Sequence, residues 1–429
     1  RLQTATTNTD DSVSYKYSNG YLKMVNESDH VTVEGDFITH SQHSHNGLLT
    51  AGTLEVQGDF TQKYYNNNYN FKATGTHIVI LSGDKIQTVK FDNPSVSYSH
   101  FSTLEITNTS EAGVNFATTA VVTGELKETS SNITGSENIW LSASAQINWD
   151  RWKHGITFAE ARTLGRYTII EGNLYIRSGL TLNEYDLDVH GSCYIISGTV
   201  NLNGKKLAVN GNIIQSGGTL HVNGGQLIVD GDYRLQTENK SSDGTISYSY
   251  SSGRLRMINS EDYVKVSGDF VTHARYSHSD YLTAGILEVK GDFTQKYYSY
   301  NSDSVYGFYA TGTHKTILSG TGLQKVNFER AESRFNVLEI QNYSDEGVKF
   351  ETPLNAKKLI TNGCVVTFPG SEITGWTLSE DEAFDGNLNL GGGVLDLNGY
   401  TLTVNGSLIQ SGGTVYVNGG KLIVKRSEE

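Results

Sequence analysis

Cysteine, proline and long apolar runs are scarce in this sequence of 429 residues, and the scarcity of cysteine and that of apolar runs each exclude a class of protein. Two cysteines cannot build the dense disulfide framework of a small secreted domain. No apolar run approaches the roughly 18 residues that a membrane-spanning helix needs. Residues 1–4 carry no signal-peptide pattern, so we expect any signal or anchor to lie outside this sequence. The scarcity of helix-favouring stretches predicts short strands joined by tight turns.

Basic residues are also in the minority. The chain has 33 Lys and Arg against 46 Asp and Glu, which gives a formal net charge of −13. Phosphate backbones and anionic lipid surfaces repel such a protein. We therefore expect no nucleic-acid partner and no membrane insertion, and we expect the flanking repeats of the same chain to be its immediate neighbours.

A long internal repeat dominates the sequence. The segment GDFTQKYY at residues 58–65 recurs at 291–298, and RLQT at residues 1–4 recurs at 234–237, in each case 233 positions later. Such repetition is typical of solenoids and related arrays. We divide the chain into repeat 1 (residues 1–233) and repeat 2 (residues 234–429), which is continuous with repeat 1 and shorter by about two turns of a repeating coil. We interpret the two as consecutive units of a longer array.

The difference in length between the repeats has one main source. The offset between matching residues falls from 234 at Leu104 and Leu338 to 195 at Leu207 and Leu402, so repeat 1 carries 39 additional residues. This insertion lies around Trp149–Arg162, and residues 158–162 are the only stretch whose pattern is typical of a short helix.

A shorter period lies inside each repeat. Gly172, Gly191, Gly211 and Gly231 follow one another at intervals of 19 or 20 residues. Between them, apolar residues alternate with polar ones in three short segments, which places one set of side chains on one face of each strand. Gly and Asn between the segments supply the left-handed backbone of sharp corners. The pattern therefore predicts three short strands and three corners in every turn of about 20 residues.

Equivalent positions in successive turns predict an inward-facing column. Its proposed members are Cys193, Ile213 and Leu408; Val200, Leu220 and Val415; and Leu207, Leu227 and Leu422. A segment of about 20 residues cannot bury its own apolar face, so the turns are stable only as a stack. The predicted fold is all-β: a parallel β-helix, or β-solenoid, of roughly 15–18 turns with loops inserted at its corners. Because Cys193 is an inward residue, we expect it to be a buried free thiol.

The phrase GNIIQSGGTLHVNGGQLIV at residues 211–229 resembles the repeats of filamentous-haemagglutinin-type adhesins. It is also similar to the repeat regions of very large surface proteins in Gram-positive bacteria. The resemblance implies a right-handed parallel β-helix, display outside the cell on a bacterial surface, and a role in adhesion or toxin presentation.

Loops rich in tyrosine and asparagine interrupt the pattern in both repeats and are the best candidates for ligand binding. Aromatic faces flanked by polar side chains suit sugar rings or protein surfaces. The alternative is that the rings fold back and cover the flank of the solenoid. The candidate residues are Tyr64, Tyr65, Tyr69 and Phe71 in repeat 1, and Tyr297, Tyr298, Tyr300, Tyr306, Phe308 and Tyr309 in repeat 2.

Residues that could support catalysis or bind a metal are sparse. His40, His43 and His45 are close enough in sequence to suggest a metal site, but repeat 2 has Tyr276 at the middle position, which favours plain loop histidines. The densest acidic group, residues 380–382 with Asp385, has no counterpart in repeat 1 and is interpreted as a solvated corner. We therefore predict no catalytic residue, no metal and no cofactor.

These observations favour a structural stalk or adhesin segment of a giant bacterial surface protein. Polysaccharide or another cell-surface component is the expected external partner. The alternatives left open are a carbohydrate-binding module that uses the tyrosine-rich loops and, ranked below it, a polysaccharide lyase or hydrolase, because parallel β-helices also host such enzymes.

Overall fold

Short parallel strands, stacked in ladders, make up almost all of the regular structure in the computed structural model of the chain. The structure describes residues 1–66, 69–298, 307–362, 364–367, 372–373, 376–378, 380–385, 388–390 and 394–425. Each strand of a turn pairs with the equivalent strand of the next turn, and the stacked turns form a parallel β-solenoid of about 18 turns. The predicted fold class is confirmed.

By its contacts the chain divides into two structural units. Unit 1 comprises Arg1–Gly179 with Val189–Gly191, and unit 2 comprises Leu180–Asp188 with Ser192–Glu429. The boundary between the two sequence repeats, at residue 233, therefore lies inside unit 2. Strands Gly179–Leu182 and Leu187–Val189 lie at the division between the units.

Unit 1 contains two long parallel ladders, a short third one and a terminal hairpin. The first ladder is His30–Val33, Thr53–Val56, Ile78–Leu81, Phe101–Ile106, Ala120–Leu126, Ile139–Leu141, Ile156–Phe158 and Leu174–Ile176. The second ladder is Phe37–Thr39, Phe60–Gln62, Gln87–Phe91, Val114–Phe116 and Ile133–Thr134. The third pairs Arg151–Trp152 with Thr168–Ile170, and the remaining strands are Arg162–Leu164, Gln3–Thr7 and Val13–Tyr17.

Unit 2 is also built from ladders of parallel strands. One ladder is Cys193–Ile195, Ile213–Gln215, Tyr233–Lys240, Phe270–Thr272, Phe293–Gln295, Gln324–Phe328, Val348–Phe350 and Val366–Thr367; a second is Thr199–Asn201, Thr219–His221 and Arg254–Arg256. The third is Lys206–Val209, Gln226–Val229, Tyr263–Val266, Ile286–Val289, Lys315–Leu318, Phe335–Ile340 and Ala356–Ile360, and Ile246–Tyr250 forms a hairpin strand. The last ladders are Glu372–Ile373, Leu388–Leu390 and Leu408–Gln410; Trp376–Thr377, Val394–Asp396 and Thr414–Tyr416; and Glu382–Asp385, Thr401–Asn405 and Lys421–Val424.

The predicted turn length holds where corners are tight and fails where loops are inserted. Lys206 pairs with Gln226, a step of 20 residues along the chain. In contrast, Ile286 pairs with Lys315, a step of 29 residues, because the tyrosine-rich loop extends that turn. Paired strands keep the same face inward despite the loops, since the side-chain period of a strand is fixed at two.

Predicted inward residues of successive turns are direct cross-strand partners. The pairs are Cys193 with Ile213, Val200 with Leu220 and Leu207 with Leu227. All six side chains are fully buried. Cys193 is a free cysteine, as expected, and burial raises the pKa of its thiol to about 12. The inward column is therefore the hydrophobic core, and it continues from turn to turn.

Asparagine and glycine form the tight corners of the regular turns. Asn223 and Gly224 have φ values of 49° and 75°, both in the left-handed region, and Asn203 and Gly204 repeat this conformation one turn earlier. Asparagine and glycine adopt it more readily than other residues. The backbone amide of Gly204 donates to the carbonyl oxygen of Asn223 at 3.0 Å, so the corners themselves also stack.

Two antiparallel hairpins depart from the parallel plan, and the sequence analysis did not predict them. Gln3–Thr7 pairs with Val13–Tyr17 in unit 1, and the end of Tyr233–Lys240 pairs with Ile246–Tyr250 in unit 2. Each paired residue of the second hairpin lies 233 positions after its counterpart in the first hairpin. Their tips are exposed, so each hairpin projects from a corner of its turn.

The stretch expected to be a short helix, residues 158–162, is instead the connection between strands Ile156–Phe158 and Arg162–Leu164. Its backbone finds partners in the preceding turn, since the amide of Ala159 donates to the carbonyl oxygen of Leu141 at 2.9 Å. Tertiary pairing therefore overrides local helix propensity here. In the described part of the chain the only helix is a 3-10 turn, Ser136–Asn138. Correspondingly, those residues contain no helix with the length and hydropathy needed to cross a membrane.

The insertion in repeat 1 contributes to the solenoid core. Trp149 and Trp152 are buried with ring centroids 5.3 Å apart. Their indole N–H groups donate to the carbonyl oxygens of Leu126 and Gly155 at 3.1 and 3.2 Å. Two large side chains thus fill the interior here while their polar atoms stay hydrogen-bonded.

A substitution in the column tests whether the stack is the source of stability. Leu220→Ala removes a fully buried side chain and leaves a cavity, so we expect unfolding to become easier by about 3 kcal/mol. His221→Ala, on the outward face of the same strand, is the matched control, and we expect it to change stability by less than about 1 kcal/mol. Urea unfolding followed by circular dichroism measures both. Equal effects of the two substitutions would contradict the inward assignment.

Candidate functional site: two matching aromatic clusters

The tyrosine-rich loops separate into buried and exposed residues. Phe71 and Phe308 are buried in the core, so their prediction as ligand contacts is wrong. The ring of Phe71 meets that of Phe60 edge-on at a centroid distance of 4.9 Å, and Phe308 meets Phe293 in the same way at 4.9 Å. Each phenylalanine stands where the loop returns to the solenoid wall, and there an inward side chain completes the core.

Tyr69 and Tyr309 lie against the loop bases and carry cations on their faces. The ammonium of Lys72 is 4.8 Å from the ring centroid of Tyr69, and the guanidinium of Arg334 is 4.2 Å from that of Tyr309. Both rings are partly buried, which agrees with the alternative in which tyrosines cover the flank. Predicted residues Tyr300 and Tyr306 lie outside the described residues.

The exposed candidates are Tyr64 and Tyr297, whose side chains are 49% and 48% accessible to solvent. An acidic residue fixes the backbone of each. The amide of Tyr64 donates to the carboxylate of Asp92 at 3.0 Å, and the amide of Tyr297 donates to that of Glu329 at 2.8 Å. The two tyrosines therefore stand in solvent on loops that are held in place, an arrangement that lowers the entropic cost of binding.

In unit 1, Tyr65 follows Tyr64 and belongs to a cluster of three rings. We name this cluster, formed by Tyr17, His40 and Tyr65, aromatic cluster 1. The rings of Tyr17 and Tyr65 are stacked, with centroids 3.7 Å apart and planes 21° apart. The ring of His40 meets both edge-on, at 6.4 Å from Tyr17 and 6.0 Å from Tyr65. Tyr17 comes from the hairpin, so the hairpin and the tyrosine-rich loop meet at this point.

In unit 2, aromatic cluster 2 contains Tyr250, His273 and Tyr298. Its tyrosine centroids are 4.5 Å apart with an angle of 50° between the planes, and His273 lies 6.4 Å from Tyr250 and 6.3 Å from Tyr298. Each member stands 233 positions after its counterpart in aromatic cluster 1. The repeat therefore preserves the cluster as well as the fold.

The histidine of each cluster has a structural contact with the exposed loop. His273 Nε2 lies 3.1 Å from the carbonyl oxygen of Tyr297, to which its N–H donates. Burial lowers the pKa of the His273 imidazole, and it also lowers the pKa of the His40 imidazole. Both imidazoles are therefore kept neutral near pH 7, and a neutral ring with one N–H can orient the tyrosine loop.

Tyr17 and Tyr250 were missed because the hairpins were missed. A signal was present: polar segments at residues 8–12 and 241–245, rich in Asp, Ser, Thr and Asn or Gly, separate stretches of alternating residues. That combination is typical of a hairpin.

The three histidines that suggested a metal site, His40, His43 and His45, lie in different surroundings. His40 joins aromatic cluster 1, and exposed His43 meets the ring of Tyr21 edge-on at 6.2 Å. His45 is buried, and its Nε2 accepts a hydrogen bond from the backbone amide of Leu22 at 3.2 Å. Across the described ranges, no group of three or more His, Cys, Asp or Glu residues is arranged to hold a metal ion.

The acidic group in repeat 2 is only partly solvated, which corrects the sequence interpretation. Glu382 is buried at 7% exposure and accepts hydrogen bonds from the hydroxyl and the amide of Thr361. Burial raises the pKa of this carboxyl. It borders a cavity of about 540 Å³ that Trp376 and Cys364 also line. Glu380 and Asp381 are exposed, as expected of a corner, and the side chain of Asp385 lies outside the described residues.

Buried histidines make the fold sensitive to acid. Burial lowers the pKa of His45, His77 and His278 to about 4 and that of His314 to about 3. A histidine in the unfolded chain has a pKa near 6.5. The unfolded state thus binds protons that the folded state excludes, so stability is complete above about pH 6.5 and falls as the pH drops towards 4.

We therefore expect urea unfolding midpoints to fall between pH 7 and pH 4.5, with a limiting loss on the order of 3 kcal/mol per histidine at acid pH. The double substitution His77→Leu and His314→Leu removes two titrating groups and reduces the difference between the midpoints. His43→Leu, at an exposed position, is the control and leaves the difference unchanged. A pH dependence that is the same in the wild type and the double variant would contradict this assignment.

The fold and the site define a class: a parallel β-solenoid that presents a pair of equivalent aromatic clusters, one in each repeat. No protein-family model matches the chain, and neither the curated proteins nor the solved structures give a significant match.

Proposed function

We propose that the chain is a structural segment of a bacterial surface adhesin, displayed outside the cell, without catalytic activity of its own. The solenoid supplies a continuous scaffold, and the loops and hairpins supply contacts at its corners. The observation that carries the proposal is the duplication of aromatic clusters 1 and 2 together with the exposed tyrosines beside them, Tyr64 and Tyr297.

Duplication of a surface site favours attachment through several weak contacts. Two equivalent sites on one chain convert the second binding event into an intramolecular one when the ligand is itself repetitive. Polysaccharide meets this condition, and its sugar rings stack on exposed aromatic faces. We therefore place a carbohydrate-binding role, through the same tyrosine-rich loops, as the second candidate, with polysaccharide or another cell-surface component as the partner.

The lyase or hydrolase alternative has less support. Glycoside hydrolysis ordinarily needs two carboxyl groups separated by about 5–10 Å across the scissile bond. The buried carboxyl of Glu382 lies at a cavity, but it is engaged by Thr361, and the acidic residues next to it are exposed. This arrangement favours a structural role for Glu382.

A binding experiment with the double variant Tyr64→Ala and Tyr297→Ala tests the proposal. We expect the wild-type chain to bind at least one polysaccharide on an array, or a cell-surface protein in a pull-down, with an affinity about 10-fold or more above that of the double variant. Either single variant should be intermediate, because one site remains.

The matched control removes two other exposed tyrosines, Tyr185 and Tyr343, whose side chains are 39% and 72% accessible. Tyr185→Ala with Tyr343→Ala should leave binding within about two-fold of the wild type. The proposal fails when the double variant and the control bind equally well, or when neither polysaccharides nor surface proteins bind the wild-type chain.

A further inference from the structure

One outer wall of unit 2 carries a row of arginine and tyrosine side chains. In the strand Arg254–Arg256 the middle residue, Leu255, is buried, so the two arginines lie on the outward face. Met257 bridges in parallel to Leu282 of the next turn. This register places Tyr281 beside the second arginine of the strand.

The row continues through the next two turns. The amide of Thr311 donates to the carbonyl oxygen of Leu282 at 2.9 Å, which brings Tyr309 beside Tyr281. Tyr309 in turn bridges to Arg334. The first and last arginines of the row are therefore three turns apart, or about 14 Å. We name the following residues the arginine–tyrosine wall: Arg254, Arg256, Tyr276, Tyr281, Tyr309 and Arg334.

Tyrosine rings hold two of these arginines in place. The guanidinium of Arg254 lies 4.3 Å from the ring centroid of Tyr276 and 5.1 Å from that of Tyr281. The guanidinium of Arg334 lies 4.2 Å from the ring centroid of Tyr309. These distances are within the range of cation–π contacts. Both guanidinium groups are therefore ordered before any ligand arrives, which lowers the entropic cost of binding.

The same two arginines have no counter-charge from the protein. The Nε atoms of Arg254 and Arg334 are buried and have no hydrogen-bond partner. Among the described residues, no carboxylate forms an ion pair with either guanidinium. Arginine stays charged at any physiological pH. In a chain of net charge −13, each of these two groups is thus a fixed cation that is available to an external anion.

Repeat 1 forms the same turns without these arginines. Its residues at the positions of Arg254, Arg256 and Arg334 are Tyr21, Lys23 and His100. The bridge between Lys72 and His100 is the counterpart of the bridge that Arg334 makes in repeat 2. Burial lowers the pKa of His100, so its imidazole is neutral near pH 7. The fold therefore does not require guanidinium groups on this wall, and they are a feature of repeat 2.

The chemistry of the wall favours an anion with widely spaced charges. The planar fork of an arginine donates two parallel N–H groups to a carboxylate. Between the arginines, the hydroxyls of Tyr281 and Tyr309 suit the hydroxyls of uncharged sugar rings. Asp280 and Glu332 are exposed next to Tyr281 and near Arg334 in the sequence, and they repel a polymer with a charge on every unit.

We propose that the arginine–tyrosine wall binds a polysaccharide in which uronate rings are separated by neutral rings. The sugar chain runs along the stack of turns, and Arg254 and Arg334 each donate two N–H groups to a uronate carboxylate. This inference rests on the carbohydrate-binding candidate above for its class of ligand. Its residues do not include Tyr64 or Tyr297, so the two proposals fail separately.

Paired polysaccharides test the charge requirement on the wild-type chain. The probes are hyaluronan and half-esterified galacturonan, in both of which neutral rings separate the uronate rings, each beside its full methyl ester. The measured quantity is the ratio of the affinities for the acid and for its ester. We expect a ratio of about 10 or more for at least one pair, falling as added salt screens the charges. Equal affinities within both pairs would overturn the proposal.

Two other polyanions test the class of ligand. Single-stranded oligo(dT) and polyglutamate carry a charge on every unit, and we expect each to bind about 10-fold or more weakly than the preferred uronate polymer. Tighter binding of either one than of both uronate polymers would overturn the assignment to a polysaccharide.

Substitutions locate the site. Arg254→Gln with Arg334→Gln should bring the ratio of acid to ester affinity close to one. The matched control, Lys325→Gln with Lys349→Gln, makes the same change in net charge at two exposed lysines on another ladder, and it should leave the ratio within about two-fold of the wild type. A thermal melt shows that each variant is folded, and the comparison of acid with ester on the wild type does not depend on any variant. Equal ratios in the glutamine variant and the control would contradict the proposed wall.

Two further variants separate the contact from charge alone and from the tyrosine loops. Arg254→Lys with Arg334→Lys keeps both charges but loses the paired N–H groups, so its ratio should lie between those of the wild type and the glutamine variant. A wild-type ratio there would overturn the paired contact. Tyr64→Ala with Tyr297→Ala should leave the ratio unchanged, and loss of the ratio in that variant would place the discrimination in the tyrosine-rich loops and not on the wall.

Discussion

Everything in this structure depends on the inability of a single turn to bury its own apolar face. A turn of about 20 residues has three short strands, and both the partners of its backbone and the cover for its inward side chains come from the turns beside it. Leu207 and Leu227 show this directly, since each is fully buried although its strand has only four residues. Stability is therefore a property of the stack, and each turn needs neighbours in register.

The same constraint leaves the corners free to carry function. An insertion at a corner does not disturb the column as long as the chain returns to the wall in register. Phe71 and Phe308 mark that return at the end of the two tyrosine-rich loops. The hairpin strands that carry Tyr17 and Tyr250 leave the wall at the equivalent corner of an earlier turn and meet the loops outside it. A rigid core and exposed, fixed aromatic residues thus arise from one plan.

Periodic parts of the fold were predictable from the sequence, and aperiodic parts were not. The 20-residue phrases place Val200 beneath Leu220 because equivalent positions recur at a fixed interval. The burial of Phe71 could not be predicted in this way, since a loop of variable length breaks the two-residue period before it. Tyr17 was missed for a related reason: an antiparallel hairpin is a local structure, and the repeat alone does not distinguish it from another loop. Glu382 was misassigned because its partner, Thr361, lies 21 positions away in the sequence.

The stacking of neighbouring turns is tested most directly by a double-mutant cycle with Leu207→Ala and Leu227→Ala. The two residues are cross-strand partners in successive turns of unit 2. If they share one cavity in the column, the free energies of unfolding should be non-additive by about 0.5–3 kcal/mol. Strict additivity of the two substitutions would mean that these side chains do not touch, and would contradict the stacked solenoid.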